Sequence, residues 1–335
     1  MKRIALTMGD PAGIGAEVIL KTLKSKQVLP EFIPILIGDE NILNLNNEIL
    51  NYNIKFVKID PSDVDSLKEL PYDSCYLINE SKLSSADFQF GVVDAKYGKA
   101  AGDYIKRAAD LAANGKIDAI VTAPINKKAF NLGGYNFQGH TDFLAHLTGS
   151  DSEVMMLAGG KLRVILCTVH VALKEAISLL NEELIIKTVT VANNDFKKYF
   201  DMQSPKFALA ALNPHASEGG SFGNEEADFI KPAAERLRAA GIDITDPLPS
   251  DSLFYHAKNG EYDAVICMYH DQGLIPIKVL YFDTGTNITL GLDIIRTSVD
   301  HGTAFEIAGM GEANEMSMIN AIESAIEMCE NKRAE

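Results

Sequence analysis

The chain alternates short apolar runs, rich in β-branched residues, with longer segments of helical periodicity, and this alternation limits the possible folds most. Such spacing is typical of α/β proteins with a mainly parallel sheet. The predicted strands are Arg3–Thr7, Ile33–Ile37, Ala119–Thr122, Lys161–Val169, Phe207–Leu212, Ala264–Met268 and Asn287–Leu290. The predicted helices are Ala16–Ser25, Lys99–Ala113, Asn181–Phe200, Glu225–Ala240 and Glu312–Met328. With 335 residues, one large or two medium domains are expected.

The composition argues against several classes of protein. Hydrophobic residues make up 47% of the chain and charged residues 23%, which is ordinary for a globular enzyme. No apolar run approaches the roughly 20 residues that a membrane-spanning helix needs. The first apolar stretch ends at Met8, which is too short for a signal peptide. The net charge of -15 argues against a nucleic-acid partner, which requires a basic surface.

The four cysteines are Cys75, Cys167, Cys267 and Cys329, and no two of them form a CxxC pair. Cys167 and Cys267 lie inside apolar, strand-like runs. We therefore expect buried free thiols in a reducing compartment, and a cytoplasmic protein.

A glycine-rich turn, "TMGDPAGIGAE" at Thr7–Glu17, follows the first apolar run. A strand that enters such a turn and then a helix is a common way to direct backbone N–H groups at an anion. The turn has no Gly-Lys-Ser/Thr ending and does not read GxGxxG, so it is neither a P-loop nor a Rossmann fingerprint.

Three of the seven histidines lie at, or just past, the carboxyl end of a predicted strand: His170, His215 and His270. In open α/β sheets, ligand sites form outside those ends. A single histidine there is usually only hydrogen-bonded, but three in the same setting predict a divalent-metal site with open positions for substrate oxygens. Asp271 is expected to orient an imidazole, complete the metal shell or act as a base.

Of the other histidines, His140 lies in the loop "QGHTD" and is a candidate for the site, whereas His146 and His256 are expected to be structural. Downstream of His270, basic and amide side chains recur at intervals of eight or nine residues as Lys278, Asn287 and Arg296. Such side chains bind phosphate or carboxylate groups.

Arg296 lies inside the apolar run "LGLDIIRTSV". A cation buried without a partner would be costly there, so an anionic ligand or a buried carboxylate is expected beside it. An acidic protein that binds an anion has to gather its basic residues locally.

These motifs together resemble the 4-hydroxythreonine-4-phosphate dehydrogenase family, NAD-dependent enzymes of pyridoxal phosphate biosynthesis. The resemblance covers essentially the whole chain. It is carried, in order, by "TMGDPAGIG", "VTAPINK", "GHTDFLA", "NPHASEGGSFGNEE", "MYHDQGLIPIK", "NITLG" and "IRTSVDHGTAFEIAG". The segment His301–Asn314 is also similar to the adenosine-binding loop of the isopropylmalate and isocitrate dehydrogenases, in which "GDGIGPE" takes the place of "GDPAGIGAE".

The resemblance implies a two-lobed α/β/α fold of the isocitrate/isopropylmalate dehydrogenase type, not a Rossmann fold, with the active-site cleft between the lobes. Residues 1–130 and 304–335 would form the first lobe. Residues 131–303 would form the second lobe, with the metal and substrate residues and the interface of a homodimer. The active site would be shared across that interface.

The resemblance also implies roles for individual residues. The metal ligands would be His170, His215 and His270. The substrate-binding residues would be His140, Thr141, Lys278, Asn287 and Arg296. The cofactor-binding residues would be Gly302, Thr303, Ala304, Glu306 and Asn314. The catalytic residues would be Asp251, Asp271 and Lys278.

The implied reaction oxidises 4-phosphohydroxy-L-threonine with NAD and one divalent metal, zinc, magnesium or cobalt, to a β-keto acid that decarboxylates to 3-amino-2-oxopropyl phosphate. Glu306 and Glu312, with no basic pair nearby, favour NAD over NADP. A paralogous dehydrogenase for D-threonate or D-erythronate 4-phosphate is the nearest alternative. A phosphate acyltransferase, a metal-dependent hydrolase and a catalytically silent metabolite-binding protein are the alternatives from other classes.

Overall fold

The structure is a computed structural model that describes residues 1–25, 32–71 and 73–332. The strands of this part of the chain are β1 Lys2–Thr7, β2 Phe32–Gly38, β3 Lys55–Lys58, β4 Ser74–Asn79, β5 Ala119–Thr122, β6 Val154–Gly159, β7 Leu162–Leu166, β8 Lys206–Ala210, β9 Asp243–Leu248, β10 Ala264–Cys267, β11 Thr286–Leu290 and β12 Ile295–Val299. The helices are α1 Gly15–Lys24, α2 Glu40–Ile49, α3 Ala95–Ala113, α4 Lys127–Leu132, α5 His140–Thr148, α6 Leu173–Leu179, α7 Glu182–Tyr199, α8 Lys231–Ala239, α9 Ser250–Lys258, α10 His270–Tyr281 and α11 Met316–Asn331. None of these helices is both long and apolar enough to cross a membrane.

The chain divides into two compact units, and the first contains Met1–Asp151 and Leu292–Glu330. Its strands lie in the order β3-β4-β2-β1-β5-β12, and each neighbouring pair is parallel. This order differs from that of a Rossmann sheet, as the resemblance implied. Every residue of β2 is buried, and β1 is buried from Ile4 to Thr7. Continuous burial is typical of parallel strands that are covered on both faces.

The second unit contains Ser152–Gly291 and, among the described residues at the end of the chain, 331 and 332. Its strands lie in the order β11-β6-β7-β10-β8-β9, with β6 antiparallel to both of its neighbours and the other pairs parallel. Buried aliphatic side chains of β7, β8 and β10 form its core together with α9 and α10. The strands β7, β10 and β8 are therefore neighbours whose carboxyl ends meet at one edge of the sheet.

The predicted α/β class and mainly parallel sheet are confirmed, and each predicted strand and helix overlaps an observed element. Three predicted strands were too long, because β7 ends at Leu166, β8 ends at Ala210 and β10 ends at Cys267. Five strands were missed, namely β3, β4, β6, β9 and β12. The proposed lobe bounds at residues 130/131 and 303/304 stay a prediction, and residues 333–335 of the first lobe lie outside the described part.

Candidate active site

The predicted site residues fall in both units, and each set is described within its own unit. In the first unit, Arg296 is the second residue of β12 and its exposed fraction is only 3%. Its Nη2 donates a hydrogen bond of 2.8 Å to Oγ1 of Thr122, the last residue of β5. Burial lowers the pKa of Arg296 to about 9, so the guanidinium is still a cation at neutral pH. The site thus holds a positive charge in a place that water hardly reaches.

His140 is the first residue of α5 in the same unit. Burial, followed by the charges of Arg296 and Lys127, holds its pKa well below the ordinary value, although a hydrogen bond to the backbone of Ala123 opposes the shift. The imidazole is therefore neutral at physiological pH. Its Nε2 is buried and has no hydrogen-bond partner among the described residues.

The turn before α5 is fixed by Asp142. Its carboxylate accepts hydrogen bonds from the backbone N–H groups of Gln138 and Gly139, which form a capping arrangement at the helix start. Thr141 follows His140 in the first turn of α5. The positive end of a helix, a buried guanidinium and a neutral imidazole are together suited to an anionic group such as phosphate.

The glycine-rich turn of the first unit packs on the loop between β5 and α4. Gly9 has a φ of +72°, and a Cβ there would lie 2.3 Å from the carbonyl oxygen of Pro124, so no larger residue fits. The next residue, Asp10, donates its backbone N–H to that same carbonyl. Burial is the main cause that raises the pKa of the Asp10 carboxyl to about 6, and its Oδ2 has no partner in the described residues. The sequence did not indicate that this carboxyl is buried.

The predicted cofactor segment, Gly302–Asn314, also lies in the first unit, and most of it is turn. Ala304 has a φ of +41°, and a Cβ built on Gly302 would meet no atom within 4 Å. Glu306 is exposed, and Asn314 accepts a hydrogen bond from the N–H of Met316 at the start of α11. Open space and accessible backbone suit a segment that binds a nucleotide.

In the second unit, the three predicted metal ligands follow three neighbouring parallel strands. His170 follows β7, His270 follows β10 and His215 follows β8. The loops after β7 and β10 are joined, because Oγ1 of Thr168 donates to the carbonyl of Met268 at 2.8 Å. The prediction that all three imidazoles lie beyond the carboxyl ends of strands in one sheet is confirmed in position.

The structure brings two of these histidines together. The rings of His170 and His270 lie 5.6 Å apart, and both line a cavity of about 230 Å³ with Asp271 and Tyr269. Asp271 lies 2.7 Å from Nδ1 of His270, which leaves Nε2 of that imidazole as the nitrogen for a ligand. His170 has a φ of +46°, a left-handed conformation that is strained for most residues other than glycine, asparagine and aspartate.

His215 lies on a separate turn, Pro214–Gly220, in which five successive residues from His215 to Gly219 have positive φ. His215 is exposed, and its ring lies 6.2 Å from the ring of Phe222. The turn is held by Glu226, whose carboxylate accepts hydrogen bonds from the backbone and side chain of Asn213 and from the hydroxyl of Ser217.

The chemistry of the three histidines and Asp271 fits a divalent metal, but their arrangement fits one only in part. Imidazoles backed by a carboxylate are typical ligands of zinc and cobalt. However, no three His, Cys, Asp or Glu side chains within residues 1–25, 32–71 and 73–332 lie close enough together to hold an ion. The pair His170 and His270 is assembled, and the predicted third ligand His215 is not.

The remaining predicted residues of the second unit are placed as follows. Asp251 is exposed in the first turn of α9, Lys278 is half-buried on α10 with its Nζ 5.7 Å from the ring centre of Phe282, and Asn287 lies on β11. Lys278 and the pair His270 and Asp271 share one helix, α10, which was not among the predicted helices.

Gln272 is a site residue that the sequence reasoning missed. It is buried, and its Nε2 donates to the carbonyl of Ala211 at 2.7 Å and to Oγ of Ser250 at 3.0 Å, while its Oε1 accepts from the N–H of Met268 at 2.6 Å. It therefore ties together the segments that carry His215, Asp251 and His270. In the sequence, the only feature that could have indicated a role for Gln272 is its position between Asp271 and Gly273.

Comparisons with known proteins agree with the motifs. The family described as "Pyridoxal phosphate biosynthetic protein PdxA" matches residues 31–325. A 4-hydroxythreonine-4-phosphate dehydrogenase of Geobacter metallireducens is 45% identical over 98% of this chain and 96% of its own length. A D-threonate 4-phosphate dehydrogenase of Cupriavidus necator is 43% identical over 97% of this chain and 96% of its own.

Among solved structures, a 4-hydroxythreonine-4-phosphate dehydrogenase from Burkholderia phymatum aligns with a TM-score of 0.84 and 43% identity, covering 100% of this chain and 99% of that one. The predicted fold class is therefore confirmed. So is the predicted enzyme class, an oxidoreductase, because full-length relatives of this similarity are dehydrogenases.

Proposed function

This chain belongs to the family of the pyridoxal phosphate biosynthetic protein PdxA, and from that premise we propose that it oxidises 4-phosphohydroxy-L-threonine. The hydroxyl at C3 becomes a ketone, and the resulting β-keto acid loses carbon dioxide to give 3-amino-2-oxopropyl phosphate. The single observation that carries the proposal is the buried cation Arg296 beside the neutral imidazole of His140.

Arg296, His140 and Thr141 are proposed to bind the phosphate of the substrate. The guanidinium supplies charge in a place of low dielectric. Because His140 is neutral and donates to the backbone of Ala123, its unpartnered Nε2 is the acceptor nitrogen and accepts one hydrogen bond from a hydroxyl of the ligand. Lys278 and Asn287 are proposed to bind the other oxygens of the substrate. Remote binding of this kind positions the reacting carbon without taking part in the chemistry.

His170, His270 and His215 are proposed to hold one divalent metal, zinc, magnesium or cobalt. When bound, such an ion would polarise the hydroxyl oxygen and then the ketone oxygen, and so favour both deprotonation and decarboxylation. Asp271 orients His270 through the contact of 2.7 Å at Nδ1. Asp251 and Lys278 are the proposed groups for the hydroxyl proton, since neither is used to orient a histidine.

The proposed hydride acceptor is NAD, bound by the segment that contains Gly302, Thr303, Ala304, Glu306 and Asn314. The open space beside Gly302 supports a ligand there. The carboxylate of Glu306 is exposed in this segment and would repel the additional phosphate of NADP.

A homodimer that shares the active site is also proposed. On α10, Ile275 and Val279 are exposed by 61% and 78%, and Phe282, the residue that follows the helix, is exposed by 71%. These residues are spaced so that they lie on one side of the helix, which also carries His270 and Lys278. Apolar strips of this kind are typical of surfaces that a second copy covers. A cytoplasmic location is proposed too, because the four cysteines are free and buried.

D-threonate 4-phosphate is the second candidate substrate, because relatives that are 42% and 43% identical to this chain carry that activity in their names. It differs from 4-phosphohydroxy-L-threonine mainly in lacking the amino group. The two candidates share the proposed phosphate site, so that site alone does not separate them.

The test is NADH formation by the purified protein with each substrate in turn. A kcat/KM that is at least about tenfold higher for 4-phosphohydroxy-L-threonine supports the first proposal. The reverse ratio assigns the chain to D-threonate 4-phosphate. No NADH from either substrate, with folded protein and added metal, would contradict both.

A further inference from the structure

The helix that follows the glycine-rich turn holds the proposed cofactor segment through one ion pair. Glu17 and Lys21 lie one turn apart on α1, and their Oε1 and Nζ atoms are 2.9 Å apart. Oε1 of Glu17 also accepts a hydrogen bond of 2.7 Å from the N–H of Ala313. Nζ of Lys21 donates to the carbonyls of Gly311 at 2.9 Å and Ala313 at 2.6 Å. Both backbone groups of Ala313 are thus fixed.

This pair is buried to an extent unusual for an ion pair within a helix. The side chain of Glu17 is 1% exposed and that of Lys21 is 13% exposed. The three protons of an ammonium are matched by three acceptors, so Lys21 has no further donor for a ligand. Burying two charges is costly and often contributes little net stability. The arrangement therefore requires an explanation other than simple stabilisation of α1.

The same turn also contacts the beginning of the segment. The N–H of Ile14 donates to the carbonyl of Thr303 at 3.1 Å, and a Cβ on Gly13 would lie 2.9 Å from that oxygen. The segment is thus held at Thr303 by the turn and at Gly311 and Ala313 by the ion pair. Between these points lie Ala304 and Glu306, which are proposed to contact the cofactor.

We propose that Glu17 and Lys21 are positioning residues for the nicotinamide cofactor, because they fix the backbone of its binding segment. The inference rests on the proposed function and adds two residues that the resemblance did not implicate. Oε2 of Glu17 is buried with no hydrogen-bond partner in the described residues, so the pair is not arranged for its own stability alone. A segment that is fixed before binding loses less conformational entropy when the ligand arrives.

The test uses Lys21→Met, Glu17→Gln and the double variant, with NADH binding measured by fluorescence titration and kinetics measured for both substrates. Lys21→Met is expected to raise the Kd for NADH and the KM for NAD by about tenfold, because two bonds from a charged donor are lost. The KM for the phosphorylated substrate and the metal content should change by less than about twofold, since neither depends on this segment.

The double variant distinguishes an effect on the position of the cofactor segment from an effect on the stability of the protein. Replacing a buried ion pair by uncharged residues is often neutral for stability, so its Tm should return to near that of the wild type while the Kd for NADH remains raised. A double variant that recovers both Tm and cofactor affinity would show that the pair is only structural. Lys99→Met with Asp103→Asn is the matched control, because this pair on α3 has the same spacing and is more exposed, with Lys99 at 64% and Asp103 at 28%. Its Kd should stay at the wild-type value.

NADH binding by the wild type separates failure of this inference from failure of the proposed function. If the wild type binds NADH and the three variants keep its Kd, this inference is overturned and the proposed function stands. If the wild type binds no NADH, both are overturned.

Discussion

In the first unit the candidate site residues lie in regular structure, with the buried cation Arg296 inside β12 and the neutral His140 at the start of α5, whereas in the second unit His170 and His215 lie on loops and only His270 begins a helix, α10. His170 and His215 there have φ values of +46° and +53°. The candidate site therefore lowers the stability of the first unit through a buried charge and that of the second unit through backbone strain. Both effects are typical of functional sites, because the geometry that function requires often lowers the stability of the fold.

The comparison of the two units indicates how fully the candidate site residues of each unit are assembled. The residues of the first unit that are proposed to bind the anion are held by neighbouring segments, Arg296 by Thr122 of β5 and His140 by the backbone of Ala123, so their geometry exists before any ligand arrives. In the second unit, the pair His170 and His270 is assembled but His215 remains apart. We therefore expect substitutions in the second unit to act through metal binding, and those in the first unit to act through the substrate.

The largest effect is expected for His170→Asn. Asparagine tolerates the left-handed conformation, so stability should be unchanged within about 0.5 kcal/mol. Turnover should fall by at least about a thousandfold, because a proposed metal ligand is lost. Metal content and NADH formation are the measurements. His256→Asn is the control, because this exposed histidine on α9 pairs with Glu261 and packs against the ring of Tyr255, and neither partner belongs to the candidate site. A His170 variant that keeps both its metal and its rate would show that His170 is not a ligand.

A somewhat smaller effect is expected for Arg296→Met. The kcat/KM for the phosphorylated substrate should fall by about a thousandfold, since a buried charge-assisted contact is removed, while metal content is unchanged. Stability should not fall, because the cost of burying the guanidinium disappears with it. Arg107→Met, which removes an ion pair with Glu80 elsewhere in the same unit, serves as the control for loss of an arginine. Equal losses in the two variants would contradict a substrate role for Arg296.

Gln272→Leu is expected to have an intermediate effect. It removes the contacts to Ala211, Ser250 and Met268, and so loosens the segments of His215, Asp251 and His270 at once. Metal affinity should fall by about ten- to a hundredfold, which is typical when a group behind the ligands is lost. Titration of the metal-free protein with cobalt measures this directly. An unchanged cobalt affinity would mean that the three segments hold their positions without Gln272.

The smallest effect concerns stability alone, at Asp10. Its pKa is about 6 in the folded protein against 3.8 ordinarily, so the folded state binds the proton more tightly between these values. Stability of the wild type should therefore fall as the pH rises from about 4 to 6. Asp10→Asn lacks this dependence and should be more stable at pH 7 by on the order of 2 kcal/mol.

Urea unfolding at pH 4 and pH 7 measures the gain from Asp10→Asn. His140 acts in the opposite sense, since its lowered pKa makes stability fall as the pH drops below its ordinary value, but this contribution cancels in the difference between variant and wild type. A gain that is equal at both pH values would show that the Asp10 carboxyl is not destabilised by burial.

The features that the sequence predicted are those that depend on local pattern. Apolar runs located the strands, and residues just past their ends, such as His170 and His270, proved to be neighbours because β7 and β10 pair. The features that it did not predict depend on distant parts of the chain. Asp10 is buried by the loop before α4, and Glu17 meets Ala313 across 296 residues of sequence. Left-handed backbone at His215 was likewise not predictable, because few residues other than glycine adopt it and the sequence has no glycine at this position.

The most direct test of the account is NADH formation from 4-phosphohydroxy-L-threonine and NAD by protein that has been stripped with a chelator and then supplied with zinc, magnesium or cobalt. If the histidine loops and the anion site serve one reaction, stripped protein produces no NADH, one of the ions restores the rate, and His170→Asn is not restored by any. Stripped protein that keeps the full rate would contradict the account, because the histidines of the second unit would then have no part in the chemistry.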